Sequence, residues 1–103
     1  MALKLDTQEN GGETVLKAEG DVDLSTSPQL REAILAACKS KADTVVVDLS
    51  GVGYMDSSGV ATLVEGLKAS QGGGKTFALQ APSASVMKVM QLARLDSIFE
   101  IRE

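Results

Sequence analysis

The segment Val45-Val46-Val47-Asp48-Leu49 limits the folds open to this chain more than any other. It lacks polar alternation and is rich in valine, as suits a central strand covered on at least one face. Patterns of helical period stand on either side. Before it, Leu30, Ala33, Ile34, Ala37 and Cys38 fall at i, i+3, i+4, i+7 and i+8; after it, Val60, Leu63, Val64 and Leu67 repeat the spacing. A buried strand between two amphipathic helices calls for a sheet with helical crossovers.

The remaining elements extend this pattern. Leu3-Lys4-Leu5 and Thr14 to Glu19 read as strands joined at Asn10-Gly11-Gly12, a hairpin. Ser27-Pro28 reads as a helix N-cap followed by proline at the first helical position, with the helix running to about Ser40. The second helix starts near Ser58 and stops at Gly72-Gly73-Gly74. Thr76 to Gln80 is a strand, and Pro82-Ser83 introduces a third helix with Val86, Val89, Met90 and Ala93 on one face. Ile98-Phe99-Glu100-Ile101 reads as a short last strand. The order is ββαβαβαβ, predicting an α/β fold: one small domain over residues 1–103, with a mixed sheet and amphipathic helices packed on one side. No repeat or linker marks a second domain.

Composition narrows the chemistry. Of 103 residues, 44% are hydrophobic and 23% charged, as in ordinary globular domains, and no apolar run approaches the roughly 18 residues needed to cross a bilayer. Met1-Ala2-Leu3-Lys4-Leu5-Asp6 has no secretory leader pattern, so a cytoplasmic location without membrane attachment is expected. Ten basic residues, scattered among 14 acidic ones, leave a net charge of −4 and no basic stripe for nucleic acid. The single cysteine, Cys38, permits no intrachain disulfide or multi-cysteine metal site. Histidine is absent, which removes the commonest general base and the Ser-His-Asp arrangement. The expectation is a binding protein and not an enzyme, with no cofactor and no metal.

Several motifs are better read structurally. Gly74-Lys75-Thr76 resembles the end of a phosphate-binding loop, but Ala69 stands where that loop needs glycine, and the segment runs from helix to strand instead of strand to helix. Asp48 at a strand end suggests the phospho-acceptor of a receiver domain, yet the acidic residues needed for magnesium lie in an apparent hairpin; a buried or turn-stabilising role fits better. Asp21 and Asp23 have the spacing of turn aspartates more than of a metal pair. Cys38, Met87 and Met90 lie on helix faces as core residues.

Asp56-Ser57-Ser58-Gly59 is the remaining candidate. Asp56, Ser57 or Ser58 caps the second helix, and Gly59 allows close backbone approach. With two hydroxyls, one can cap while the other stays available. A phosphate there is expected to meet unpaired N–H groups and the helix dipole, and its charge of about −1.5 to −2 beside Asp56 would repel a partner packed on the neutral surface.

Gly20-Asp21-Val22-Asp23, the run from Asp48 through Met55-Asp56-Ser57-Ser58-Gly59-Val60, and Ile98-Phe99-Glu100-Ile101 together resemble the STAS family, and within it the bacterial anti-sigma factor antagonists. The resemblance spans nearly the whole chain, and Met-Asp-Ser-Ser-Gly is its most specific part. It implies a protein that, unphosphorylated, binds an anti-sigma factor serine kinase and so frees a sigma factor. The kinase then phosphorylates Ser57, and a serine phosphatase resets it. The same resemblance implies a partner-binding surface of Gly20, Asp21, Asp23, Asp56, Ser58, Gly59 and Val60, in a chain expected to be monomeric. A second implication is an unphosphorylated scaffold or transporter-associated subunit; such members often lack the hydroxyl at this place. One departure concerns Arg94, where the family often has glycine: a left-handed backbone there would be strained or the helix end shifted.

Overall fold

The opening hairpin forms where Asn10-Gly11-Gly12 interrupts the strand pattern. In the computed structural model, which describes residues 3–103, β1 (Lys4–Asn10) turns back into β2 (Glu13–Val22). Gly11 and Gly12 take φ of 52° and 88°, the left-handed backbone that a two-residue hairpin turn demands. Met1 and Ala2, which begin the segment read for a leader, lie outside the described residues.

The chain continues through α1 (Ser27–Cys38), β3 (Thr44–Met55), α2 (Ser57–Gly72), β4 (Thr76–Gln80), α3 (Ala84–Leu92), a 3₁₀ turn (Asp96–Ile98) and β5 (Glu100–Arg102). The ββαβαβαβ order is therefore realised. Spatially the strands lie in the order β1-β2-β3-β4-β5, with β1 antiparallel to β2 and every later neighbour parallel. Each crossover advances one place in the same direction, so connections of the usual right hand set all three helices on one face. There Leu16, Val45, Val47 and Leu49 of the sheet meet Leu30, Ile34, Leu63 and Met90 of the helices. Cys38 and Met87 pack half-buried at the margin of this core. Among the described residues no helix is long and apolar enough to cross a membrane.

The other face is polar, with Lys4, Asp6, Gln8, Lys17, Asp48 and Gln80 around an open depression of about 610 Å³. Val46 and Ala78 alternate onto this face yet are fully buried. Across this face Arg102 Nη1 donates to Glu13 Oε2 at 2.7 Å, joining β5 to β2 over the two strands between them. The valine run is thus covered by helices on one side and by side chains of its own sheet on the other.

Several boundaries differ from the sequence expectation, beginning with β1 and β2, which run on past Leu5 and Glu19 to Asn10 and Val22. Ser50 to Met55, read as a connection after the central strand, belongs to β3. Although β4 stops pairing at Asp48, β2 continues alongside through Glu19↔Gly51, Asp21↔Tyr54 and Val22↔Met55, with register shifts between Lys17 and Glu19 and between Glu19 and Asp21. Gly51 permits that approach, because a Cβ there would lie 3.0 Å from the Ala18 carbonyl oxygen. The last strand begins later than Ile98: Phe99 tucks into the core, tilted against Phe77 with ring centroids 6.3 Å apart, and pairing with β4 starts at Glu100. Ser27 is the first helical residue and Thr26 occupies the N-cap position. Arg94 adopts φ 60°, the left-handed backbone anticipated at that position.

Candidate functional site

The β3 strand hands the chain to α2 at Asp56, whose extended backbone ends the strand and whose side chain starts the helix. Asp56 Oδ1 accepts from Ser58 N at 2.9 Å, from Gly59 N at 3.4 Å and from Ser58 Oγ at 2.5 Å. The Asp56 carbonyl accepts from Gly59 N at 3.1 Å and Val60 N at 3.2 Å. Of the three candidate caps, Asp56 is the cap and Ser58 its clasp. Ser57 is exposed, and its hydroxyl makes no hydrogen bond among the described residues. One expectation is narrowed here: the N–H groups of Ser58, Gly59 and Val60 serve Asp56, while that of Ser57 has no hydrogen-bond partner among the described residues. A phosphate on Ser57 would meet a partly occupied helix start, with the Ser57 amide open and a carboxylate beside it.

Gly59 and Val60 lie beneath this surface. A Cβ on Gly59 would come within 2.5 Å of Met55 Cγ and 2.7 Å of Val22 Cγ1, so glycine is what seats the first turn of α2 on the ends of β2 and β3. Val60 is 3% exposed, and it joins Ser57, Val89, Leu92 and Leu95 around a shallow apolar groove of about 380 Å³ between α2 and α3. Neither residue therefore offers a free side chain of the kind Asp21 and Asp23 do, both of which are half-exposed.

The aspartate loop is fastened to the same junction. Asp56 N donates to Val22 O at 3.1 Å, bringing the end of β2 against the start of α2. Gly20 takes φ 118° just before the loop. Asp23 Oδ1 accepts from Ser25 Oγ at 2.7 Å, Ser25 N at 2.9 Å and Thr26 N at 3.1 Å, while its carbonyl accepts from Ser27 N at 2.8 Å. Asp23, and not Ser27, organises the entry to α1. Thr26 is a residue that sequence reasoning missed: its buried hydroxyl accepts from Asp23 N and donates to Asp21 O, both at 2.9 Å. The reciprocal Asp23-x-x-Thr26 spacing, akin to a capping box, was the available signal.

Asp23 and Asp56 are held ionised. The Ser25 hydroxyl, assisted by the Thr26 and Ser25 amides, keeps the Asp23 carboxyl below its ordinary 3.8. The Ser58 hydroxyl does the same for Asp56, against partial desolvation and the like charge of Asp23. The bond from Asp56 N to Val22 O puts the loop and the helix start side by side, with Ser57 next to them.

The discounted motifs have structural employment. Lys75 Nζ donates to the Ser40 carbonyl at 2.7 Å and also to that of Ala42, tying the α1–β3 connection to the end of α2. Asp48 Oδ1 accepts from Ser50 N at 2.9 Å, a local backbone role. Among the described residues no group of three His, Cys, Asp or Glu side chains could hold a metal ion.

Comparison with known proteins adds four findings. The family model described as "Mlab, STAS domain" matches residues 5–102. The anti-sigma-B factor antagonist of Bacillus subtilis is 26% identical over 101 residues, covering 98% of this chain and 92% of that protein. Among solved structures, an anti-sigma factor antagonist from Mycobacterium paratuberculosis superposes with a TM-score of 0.87 at 24% identity, covering 97% of this chain and 85% of the other. The anti-sigma factor antagonist SpoIIAA in its unphosphorylated form gives 0.80 at 22% identity, with 97% and 89% covered.

Proposed function

Since the chain belongs to the STAS-domain family, we propose that it is an anti-sigma factor antagonist that works by partner switching at Ser57. Unphosphorylated, it binds an anti-sigma factor serine kinase and thereby releases a sigma factor. The kinase ends the interaction by phosphorylating Ser57 from ATP, and a serine phosphatase restores the binding form. The full-length similarity to an anti-sigma-B factor antagonist supports the first part. The observation that carries the second is the division of labour at the helix start, where Ser58 is bound to Asp56 and the Ser57 hydroxyl is exposed and unengaged.

The chemistry asks little of this chain. The Ser57 Oγ–phosphorus bond forms as the bond from the γ-phosphorus of ATP to the bridging oxygen breaks, ADP leaves, and the hydroxyl proton passes to a base on the kinase. What this chain supplies is an accessible nucleophile on a rigid helix start. Product formation adds about −1.5 to −2 charges beside ionised Asp56 and near Asp23. Most helix-start donors already serve Asp56, so the new charge is only partly offset locally.

In this reading the contact surface consists of Gly20 and Asp21 at the end of β2 and Asp23 just beyond it, together with Asp56 and Ser58 from the helix start. Buried Gly59 and Val60 shape that surface from beneath. The test is binding of the cognate anti-sigma factor kinase, by titration calorimetry, to unphosphorylated and Ser57-phosphorylated protein. A complex with the first that weakens at least tenfold with the second supports the function; equal affinity refutes the switch.

A further inference from the structure

We infer that Thr26 is a positioning residue for partner recognition: it touches neither the partner nor Ser57, but its hydroxyl holds the aspartate loop in the shape the partner reads. The inference deepens the partner-switching reading and rests on it.

The loop must place Asp21 and Asp23 in a fixed relation to a helix start that belongs to a different part of the chain. Val22, between them, is fully buried, packs toward Gly59 and accepts the Asp56 amide through its carbonyl, so the middle of the loop root is anchored. Asp21, the last residue but one of β2, is paired with Tyr54 of β3, but its carbonyl and all of Asp23 lie beyond that packing, with both aspartates half-exposed and Leu24 77% exposed. Thr26 fastens both from behind, taking the Asp23 N–H and giving its own proton to the Asp21 carbonyl. At 6% exposure it is poorly placed to touch a partner directly. The Asp23 carboxylate in turn engages Thr26 N, closing a reciprocal pair in which each residue caps the other.

Removing that hydroxyl while keeping the side-chain volume would leave the Asp23 N–H and the Asp21 C=O without their partner in a partly buried setting, a costly state that the loop relieves by moving. The core beneath does not depend on this bond: Leu16, Leu30 and Val47 pack through apolar surface alone. Thr26→Val therefore separates loop geometry from fold integrity, and Thr26→Ser restores the hydroxyl.

The probe is the purified anti-sigma factor serine kinase of the same organism with Mg-ATP, presented to wild type, Thr26→Val and Thr26→Ser. Two readouts are paired: affinity and the KM and kcat of phosphorylation, and amide hydrogen exchange resolved at Asp23 and at core strand residues such as Val46 and Leu79. The expected result is a loss of about tenfold or more in affinity for Thr26→Val, expressed in KM with kcat nearly held. Exchange should quicken at Asp23 and not in the core, and Thr26→Ser should return to within about threefold of wild type. Wild-type affinity in Thr26→Val overturns the inference, as does a loss accompanied by faster core exchange and no rescue by serine. A wild-type chain that the kinase neither binds nor phosphorylates overturns the partner-switching reading itself, and the inference falls with it.

Discussion

Ser58 donates its hydroxyl to Asp56 Oδ1 at 2.5 Å, and the same oxygen takes the Ser58 amide at 2.9 Å. This clasp makes adjacent serines chemically unequal. Ser58 is committed to the helix cap, and Ser57, one residue earlier, is exposed with its hydroxyl free. A segment of two seemingly interchangeable residues is resolved by which of them the preceding aspartate can reach.

Truncating the cap should cost stability, whereas truncating the proposed acceptor should not. Asp56→Ala removes the acceptor for Ser58 N and Gly59 N and is expected to lower unfolding free energy by about 1 kcal/mol. Ser57→Ala should stay within about 0.5 kcal/mol of wild type, as for other exposed positions without partners. Urea denaturation of both variants checks this; a larger loss for Ser57→Ala would mean that its hydroxyl is structural.

The acid limb of stability should carry the signature of Asp56. Its carboxyl is held below the ordinary 3.8, so the folded chain binds the proton less tightly than the unfolded one. The resulting stabilisation is complete above that value and is lost as pH falls through the lowered folded-state value. Asp56→Asn keeps a capping oxygen but cannot ionise, so it should be less stable than wild type at pH 7 and show a shallower decline below about pH 4, the two converging as Asp56 is protonated. Denaturation midpoints measured across pH 2 to 7 decide; parallel curves would contradict the assignment.

How much of this was legible beforehand depends on the kind of interaction involved. The helix stripes through Ile34 and Leu63, and the valine run, were readable because burial imposes a period on the sequence. The Ser50 to Met55 stretch was not, because its glycines also signal turns; only the continued pairing of β2 with Gly51 and Met55 makes it strand. Ile98 misled in the other direction, since an apolar residue next to Phe99 suggests strand where a 3₁₀ turn delivers the ring to the core. At the site, residue types pointed to Asp56, Ser57 and Ser58 without saying which was the cap. Thr26 escaped notice because its role is a hydrogen bond to the backbone of a loop.

Close packing at Gly59 predicts an overpacking defect. Ala at this position gains helix propensity of about 1 kcal/mol but drives its Cβ into Met55 and Val22, both buried, where overpacking costs about 1–3 kcal/mol. Gly59→Ala is expected to be destabilised by about 1 kcal/mol net. A stabilised variant, measured by thermal unfolding, would mean that Met55 yields freely.

Arg94 offers the opposite change. At φ 60° an L side chain is strained and glycine is not. Arg94→Gly should therefore gain about 0.5–1 kcal/mol after allowing for the greater freedom of glycine in the unfolded chain. The gain should leave binding and phosphorylation unchanged, and calorimetric unfolding with the kinase assay checks both parts.

The central claim is that one hydroxyl, that of Ser57, is the switch. The most direct measurement is site-resolved mass spectrometry of wild type, Ser57→Ala and Ser58→Ala after incubation with the cognate anti-sigma factor kinase and Mg-ATP. The account predicts one phosphate per chain, located on Ser57 in wild type and in Ser58→Ala, and none on Ser57→Ala. Stoichiometric phosphate on Ser57→Ala, or wild-type phosphate located on Ser58, would contradict it.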